Sequence, residues 1–378
     1  GGSLEEGIAA GRVTVSEEKE IAGRRSQISR LLADSMQFHF FPGDNRIRDL
    51  EASGRVQAVY EKAGGGEERP GAGRLLASSE RMRILFALEN GESVVASASQ
   101  WGNFVYTDAS RTATAGRCDY DAATGLLTLR ESPRIDEATS STTADAMEYS
   151  LAKRVLAVRG RVRSLLRAGK DSGSLPILAA PTAVITAGTL DYRTDKRLLR
   201  YAGKVHVLSE SGRLEAATLD VIDGGARVQA RGSVRHTIPK RKDPEKAERS
   251  DKPKETRSSL NEDMTILSSS LEYERGKNTA TYAGGVRVLS GSLSLESQAL
   301  EAVISKSGQG LEKAVARREV HIRQDDVEGT GDTVDYYLEP PRFVLTGKPA
   351  VIEAPGRGRT SAPRLTYSIA DDRILFGN

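Results

Sequence analysis

The sequence predicts an all-β protein, an array of about eleven two-strand units stacked along 378 residues. Three observations lead there. Short runs of alternating apolar and polar residues recur through the whole chain, which places one face of each run in a core and the other in water. The runs are joined by turns rich in Gly, Asp and Ser, residues that tolerate positive φ or bond their own backbone. A glycine two positions before a valine recurs in the second run of a unit, at Gly11, Gly54, Gly160, Gly203, Gly232 and Gly284.

The stretch from Ala187 to Val234 shows the unit most plainly. Ala187-Gly-Thr-Leu190-Asp-Tyr192 is a strand, 193–197 a polar turn, and Leu198 to Val207 a second strand passing through Gly203-Lys-Val205. After Glu210-Ser-Gly212 the pattern repeats, with Leu214 to Val221, the turn Asp223-Gly-Gly225, and Ala226 to Val234 through Gly232-Ser-Val234.

In order, the chain opens on Ile8-Ala-Ala-Gly11-Arg-Val13, the second half of a unit, after a Gly1-Gly-Ser start that reads as mature or trimmed. Glu17 to Leu32 carries the one helix-like hint, which also fits a polar turn into a strand. Met36-Gln-Phe38 leads to Gly54-Arg-Val56, and 61–73 reads as a glycine-rich charged loop. Met82-Arg-Ile84 leads to Trp101-Gly102-Asn-Phe104. Cys118-Asp-Tyr120 leads to Ser132-Pro133, and Met147-Glu-Tyr149 to Gly160-Arg-Val162, before a second loop at 168–174. Residues 239–263 mix both charge signs without apolar periodicity and read as a surface loop, with partner binding through its basic residues the sharper alternative. The pattern resumes at Leu271-Glu-Tyr273 and Gly284-Gly-Val286, continues through Val334-Asp-Tyr336, Gly347-Lys-Pro349 and Leu365-Thr-Tyr367, and stops mid-unit at Asn378. The expected divisions are a divergent N-terminal array over 1–167, repeats over 175–238, the loop 239–263 and C-terminal repeats over 264–378. Taking Ser132 and Glu319 as closing residues in place of glycine, 160 − 132, 232 − 203 and 347 − 319 give a period of 28, 29 and 28.

Composition narrows the function classes. The chain has 37 Gly, 38% hydrophobic and 28% charged residues, too apolar and too patterned for disorder. The net charge of +3, from 55 basic and 52 acidic residues spread along the chain, argues against nucleic-acid binding. A single cysteine, Cys118, excludes an internal disulfide and reads as a small buried apolar residue. No run reaches the ~18 apolar residues that a membrane-spanning helix needs.

The repeated residues divide by face. In apolar-acid-Tyr runs, period two puts the outer pair inside and the acid in water. A carboxylate series serving catalysis is the weaker reading of those acids. The glycine of Gly-x-Val marks a bulge or bend where a Cβ would clash. The residue after it is often basic (Arg12, Arg55, Arg161, Lys204, Lys348). Solvated strand residues are the plain reading of these, a phosphate-gripping ladder the sharper one. His39, His206, His236 and His321 lie in different units without ligand spacing, so no metal or cofactor is expected. No phosphate loop, nucleophile elbow or paired catalytic motif appears, and the chain reads as non-enzymatic.

Ala-x-x-Leu-x-Tyr followed by a turn and Gly-Arg/Asn-Val resembles the OstA/LptA repeat of periplasmic lipopolysaccharide-transport proteins, found in LptA, LptC and the N-terminal part of LptD. The resemblance is strongest over 187–234 and 271–378. It implies antiparallel strands stacked as an elongated, V-shaped β-jellyroll open along one side. Periodicity alone fits a parallel β-helix equally well. The resemblance further implies a periplasmic location, lipid A acyl chains of lipopolysaccharide as ligand, and end-to-end docking with jellyroll domains of the inner-membrane transporter complex and the outer-membrane translocon. The residues expected to line the groove are Met36, Phe38, Met147, Tyr149, Leu190, Tyr192, Val205, Val207, Leu219, Leu271, Tyr273, Val286, Val288, Val334, Tyr336, Leu365 and Tyr367. Two other readings stay open: a structural or adhesive β-array filled by its own side chains, and a β-solenoid enzyme acting on polysaccharide.

Overall fold

The computed structural model describes residues 4–21, 24–62, 74–167, 182–239, 263–304, 311–337, 340–356, 358–369, 371 and 373–377. These form strands β1 (Glu6–Ile21), β2 (Arg24–Phe40), β3 (Ile47–Lys62), β4 (Arg74–Glu89), β5 (Glu92–Thr107), β6 (Arg111–Asp121), β7 (Leu126–Arg130), β8 (Arg134–Glu137), β9 (Ser140–Thr143), β10 (Ala146–Ser150), β11 (Val155–Arg167) and β12 (Thr182–Arg193). The series continues with β13 (Leu198–Ser209), β14 (Gly212–Ile222), β15 (Arg227–Ile238), β16 (Met264–Glu274), β17 (Thr279–Ser290), β18 (Leu293–Ile304), β19 (Leu311–Gln324), β20 (Val327–Tyr337), β21 (Arg342–Ala354), β22 (Gly358–Ser368) and β23 (Arg373–Gly377). Neighbouring strands pair antiparallel, as in β1–β2, β13–β14 and β21–β22, so the array is not a parallel β-helix.

The chain divides into two compact units, one comprising Gly1–Leu165 and Gly188–Asp195, the other Leu166–Ala187 and Lys196–Asn378. We refer to them as unit 1 and unit 2. In unit 1, β7 and β8 are two pieces of one path, both pairing with β6, and β9 and β10 likewise pair with β8 and β7.

Most repeats have the same corner; β21 differs, with a cis Lys348–Pro349 bond after Gly347 and no left-handed pair. On β3 the pairing with β2 steps from Ser35–Ser53 to Leu32–Gln57, which leaves one extra residue on β3. Such a bulge bends a strand and raises its twist. The extra residue is accommodated by two successive left-handed residues, Gly54 (φ 74°) and Arg55 (φ 47°). Gly102/Asn103, Gly160/Arg161, Gly203/Lys204 and Gly232/Ser233 repeat the pair. A Cβ on Gly54 would fall 2.6 Å from Asp34 Oδ2, and one on Gly102 would fall 2.6 Å from Glu80 Oε2. The expected clash is therefore real at those corners, but at Gly11 nothing lies within 4 Å and only the backbone angle favours glycine.

Two corners are built without glycine, and there the sequence register was one residue out. The left-handed pairs are Glu131/Ser132 and Arg318/Glu319, so Glu131 and Arg318, rather than Ser132 and Glu319, stand where the glycine does elsewhere. Corrected spacings are 160 − 131, 232 − 203 and 347 − 318, each 29.

The helix-like hint over 17–32 is also corrected. Glu17 to Ile21 end β1 and Arg24 onward begin β2, paired antiparallel from Thr14–Leu32 to Ile21–Arg24 with one register shift between Lys19 and Glu20. Helix propensity of Glu, Lys and Arg is a weak prior, and strand pairing overrides it here. Glu61 and Lys62 belong to β3. The remaining loop residues 63–73, and the loops at 168–174 and 240–262, lie outside the described residues.

Candidate functional site: the apolar inner rows

The corner splits each full-length strand into two arms, and each arm turns alternate residues inward. Before the corner of β13 the buried residue is Tyr201, and after it they are Val205 and Val207. On β14 they are Leu214 before, and Leu219 and Val221 after. A small residue occupies the inward position next to the bend on the non-bulged strands: Ala33, Ser79, Ala187, Ser268, Ser297. This is the Ala of Ala-x-x-Leu-x-Tyr, and it leaves room for the arms to approach. Where it is serine, the hydroxyl donates to a carbonyl two residues on, as from Ser268 to Ser270 and Ser297 to Ala299.

Register then stacks inward residues into rows. In unit 2 one row runs Tyr201, Leu219, Ala230, Leu271, Tyr282, Leu300, Ala316, Val334, Leu345, Leu365 along one wall. The other wall carries Val207, Leu214, His236, Ile266, Val288, Leu295 and Ile322. In unit 1 the row corresponding to that of Tyr201 is Met36, Ala52, Met82, Gln100, Cys118, Leu129, Met147, Val158, and beside it on the same wall runs Phe38, Leu50, Ile84, Ala98, Tyr120, Leu127, Tyr149, Leu156.

The two units bury these rows to different degrees. In unit 2, Val205, Val207, Leu219, Leu271, Tyr273, Val286, Val288, Val334, Tyr336, Leu365 and Tyr367 are all buried, with Tyr273 and Leu365 at 0% exposure. Facing walls touch: a Cβ on Gly329 would come within 2.5 Å of Leu345 Cδ1, which lies on the opposite wall. In unit 1, Met36, Met147 and Leu190 are buried, but Phe38, Tyr149 and Tyr192 are only half-buried. The whole Phe38–Leu156 row is half-buried apart from Leu50. Unit 1 thus leaves a continuous apolar row partly uncovered.

The outward residues are charged and paired. Asp191 meets Arg159 at 2.7 Å, Asp220 meets Arg200 at 2.7 Å, and Asp335 meets Lys313 at 3.2 Å. Asp119 accepts from Arg117 and from Ser99. The acids of the apolar-acid-Tyr runs therefore face outward as strand-surface ion pairs. At the corners, Arg55 donates to Asp34 at 2.6 Å and Arg161 contacts Asp145 at 2.6 Å. The Arg55 guanidinium holds the Asp34 carboxyl below its ordinary range. Corner arginines that are engaged this way are not a free phosphate ladder.

Cys118 is buried at 5% exposure, and burial pushes its thiol up to about 12, as a small core residue requires. His39 bonds Asp49 at 2.7 Å. Burial pushes the Asp49 carboxyl up, but bonds from His39 and Arg48 outweigh it and hold it below the usual range. His206 and His321 are exposed beside Glu215 and Glu328. His236 is the one that periodicity could have singled out. It lies two residues after inward Val234, and it is buried, with Nδ1 2.7 Å from the Tyr282 hydroxyl. Among the described residues no group of three or more His, Cys, Asp or Glu is placed to hold a metal ion, and no helix is long and apolar enough to cross a membrane.

A bent antiparallel sheet with continuous apolar inner rows and an ion-paired outer face defines a class of β-repeat protein distinguished by its interior. Residues 265–373, from β16 to the start of β23, match the family of LptA/(LptD N-terminal domain) LPS transport proteins, and that part of the chain carries OstA/LptA-type repeats. No curated protein sequence matches the chain. Among solved structures it is similar to LptH, the LptA-homologous periplasmic component of the conserved lipopolysaccharide transport device of Pseudomonas aeruginosa. That similarity is 13% identity over 32% of this chain and 82% of that one, with a TM-score of 0.28, too loose to support an inference by itself.

Proposed function

We propose that the protein is a non-enzymatic, periplasmic lipid-transport protein. It holds acyl chains of lipopolysaccharide against its inner rows and contributes to a bridge between inner and outer membranes, docking end to end with other jellyroll domains. The observation that carries this reading is the half-buried apolar row of unit 1 from Phe38 through Ile84, Tyr120 and Tyr149 to Leu156. Each CH₂ taken from water against such a row contributes about 0.8 kcal/mol, and repeated, undirected contacts let a chain slide between near-equal positions. The family match over 265–373 supports the same reading.

One observation favours the self-filled scaffold for part of the molecule. The inner rows of unit 2 are buried against one another, so that interior is filled by its own side chains. A displacement assay separates the two readings, with a fluorescent acyl probe loaded on the purified chain and competed off by lipopolysaccharide. Phe38→Glu is expected to weaken probe binding about tenfold or more, the equivalent of roughly two lost CH₂ contacts. Glu148→Lys, on the outer face, should leave it unchanged. A probe that does not bind, or binding insensitive to Phe38→Glu, leaves the scaffold reading standing.

A further inference from the structure

The inner rows of unit 2 hold one feature that neither the fold nor the proposed cargo requires. Along the wall formed by Val207, Leu214, Ile266 and Val288, the residue at the β15 position is His236. Tyr282 occupies the opposite wall, between Leu271 and Leu300. His236 follows the corner of β15 at Gly232 and Ser233, while Tyr282 precedes the corner of β17 at Gly284 and Gly285. The two side chains therefore reach toward each other from different arms, over the interposed strand β16. His236 Nδ1 and the Tyr282 hydroxyl lie 2.7 Å apart, and the rings stack at 6.2 Å with 23° between planes. Among the described residues His236 Nε2 has no hydrogen-bond partner.

Apolar walls in contact slide or part without losing any one directional interaction. A hydrogen bond across them is different: it fixes their separation and their relative height, and breaking it leaves polar groups dry. Burial pushes the His236 pKa down to about 4 and keeps the ring neutral, so the bond joins a neutral imidazole to a neutral phenol. With Nε2 already unpartnered, Tyr282 is the only group satisfying that ring among the described residues.

We propose that the His236–Tyr282 bond is a latch holding the two walls of unit 2 together, and that an acyl chain lies between those walls only when it opens. The role in admitting lipid rests on the proposed function, whereas the closure of the walls does not, so the two are tested separately.

Closure is tested without lipid. Nitroxide labels go on cysteines at Arg235→Cys and Thr281→Cys, exposed positions beside the pair on opposite walls, with Cys118→Ala as background. Pulsed dipolar spectroscopy should give one narrow distance distribution in the chain with the latch intact. Tyr282→Phe, and independently His236→Phe, should broaden it and shift it to longer distance. The variants remove the bond from opposite walls, so either suffices if the other does not fold. A broad distribution with the latch intact, or a narrow one unchanged in the variants, overturns the latch. Admission is tested with a photoreactive residue at Leu271 and lipopolysaccharide, with a second probe at Phe38 in unit 1. Tyr282→Phe should raise adducts at Leu271 at least threefold and leave those at Phe38 unchanged. Equal labelling at Leu271 with and without the latch overturns its gating role, whereas no adduct at either probe overturns the proposed cargo instead.

Discussion

Gly54 and Gly11 show how one residue type serves two physical ends. Both are left-handed, but a Cβ on Gly54 collides with Asp34 while one on Gly11 meets nothing within 4 Å. Gly54→Ala should therefore destabilise by roughly 1–3 kcal/mol, the left-handed penalty plus the clash, and Gly11→Ala by about 1 kcal/mol or less. Urea unfolding of the two variants checks the order. His236 sets a pH dependence of definite sign. Burial lowers it from 6.5 to about 4 in the fold, so the folded chain binds fewer protons than the unfolded one in that range. The stability it protects is fully present above pH 6.5 and is lost as pH falls toward 4, on the order of 3 kcal/mol. Flanking residues on its row, Leu214 and Ile266, are apolar, and the titratable group facing it is Tyr282, which burial pushes up and keeps neutral. Comparing urea midpoints at pH 7 and pH 4 in the wild type and in His236→Phe isolates this contribution, because carboxylate effects are common to both.

At the scale of a strand, alternation was legible because it is what burial demands. Apolar-acid-Tyr predicts Leu271 and Tyr273 inside and Glu272 outside, and the side chains lie that way, with Tyr273 fully buried. Tyr273→Ala should cost about 3–5 kcal/mol and Glu272→Ala, an exposed pair member, under about 1 kcal/mol, measured by the same unfolding assay. The corners were less legible. Glycine marks most of them, but Glu131 and Arg318 adopt the same left-handed angle without its signature, so spacing counted from Ser132 and Glu319 falls one residue late. The charged run at 17–32 hid a hairpin because its partners lie in strand pairing rather than in local propensity. The His236–Tyr282 contact was beyond reach for another reason. Period two reveals which face a residue takes, but which inward residues meet across the interior depends on how the walls close.

At the scale of the molecule, the sequence predicts one continuous lining, and the two units divide it. The lining in unit 2 is packed shut, with Tyr273, Tyr282, Phe343 and Leu345 at no more than 1% exposure, whereas unit 1 leaves Phe38, Ile84 and Tyr149 half-buried. Lipid contact should therefore begin in unit 1, and this is measured most directly in cells by photo-crosslinking. Photoreactive residues are placed at Phe38, Tyr149 and Tyr192, and at Glu148 and Asp191 as outward controls. Lipopolysaccharide adducts are expected at the three inward positions and none at the two acids. Equal labelling at both sets, or no lipid adduct at any inward position, would contradict this reading.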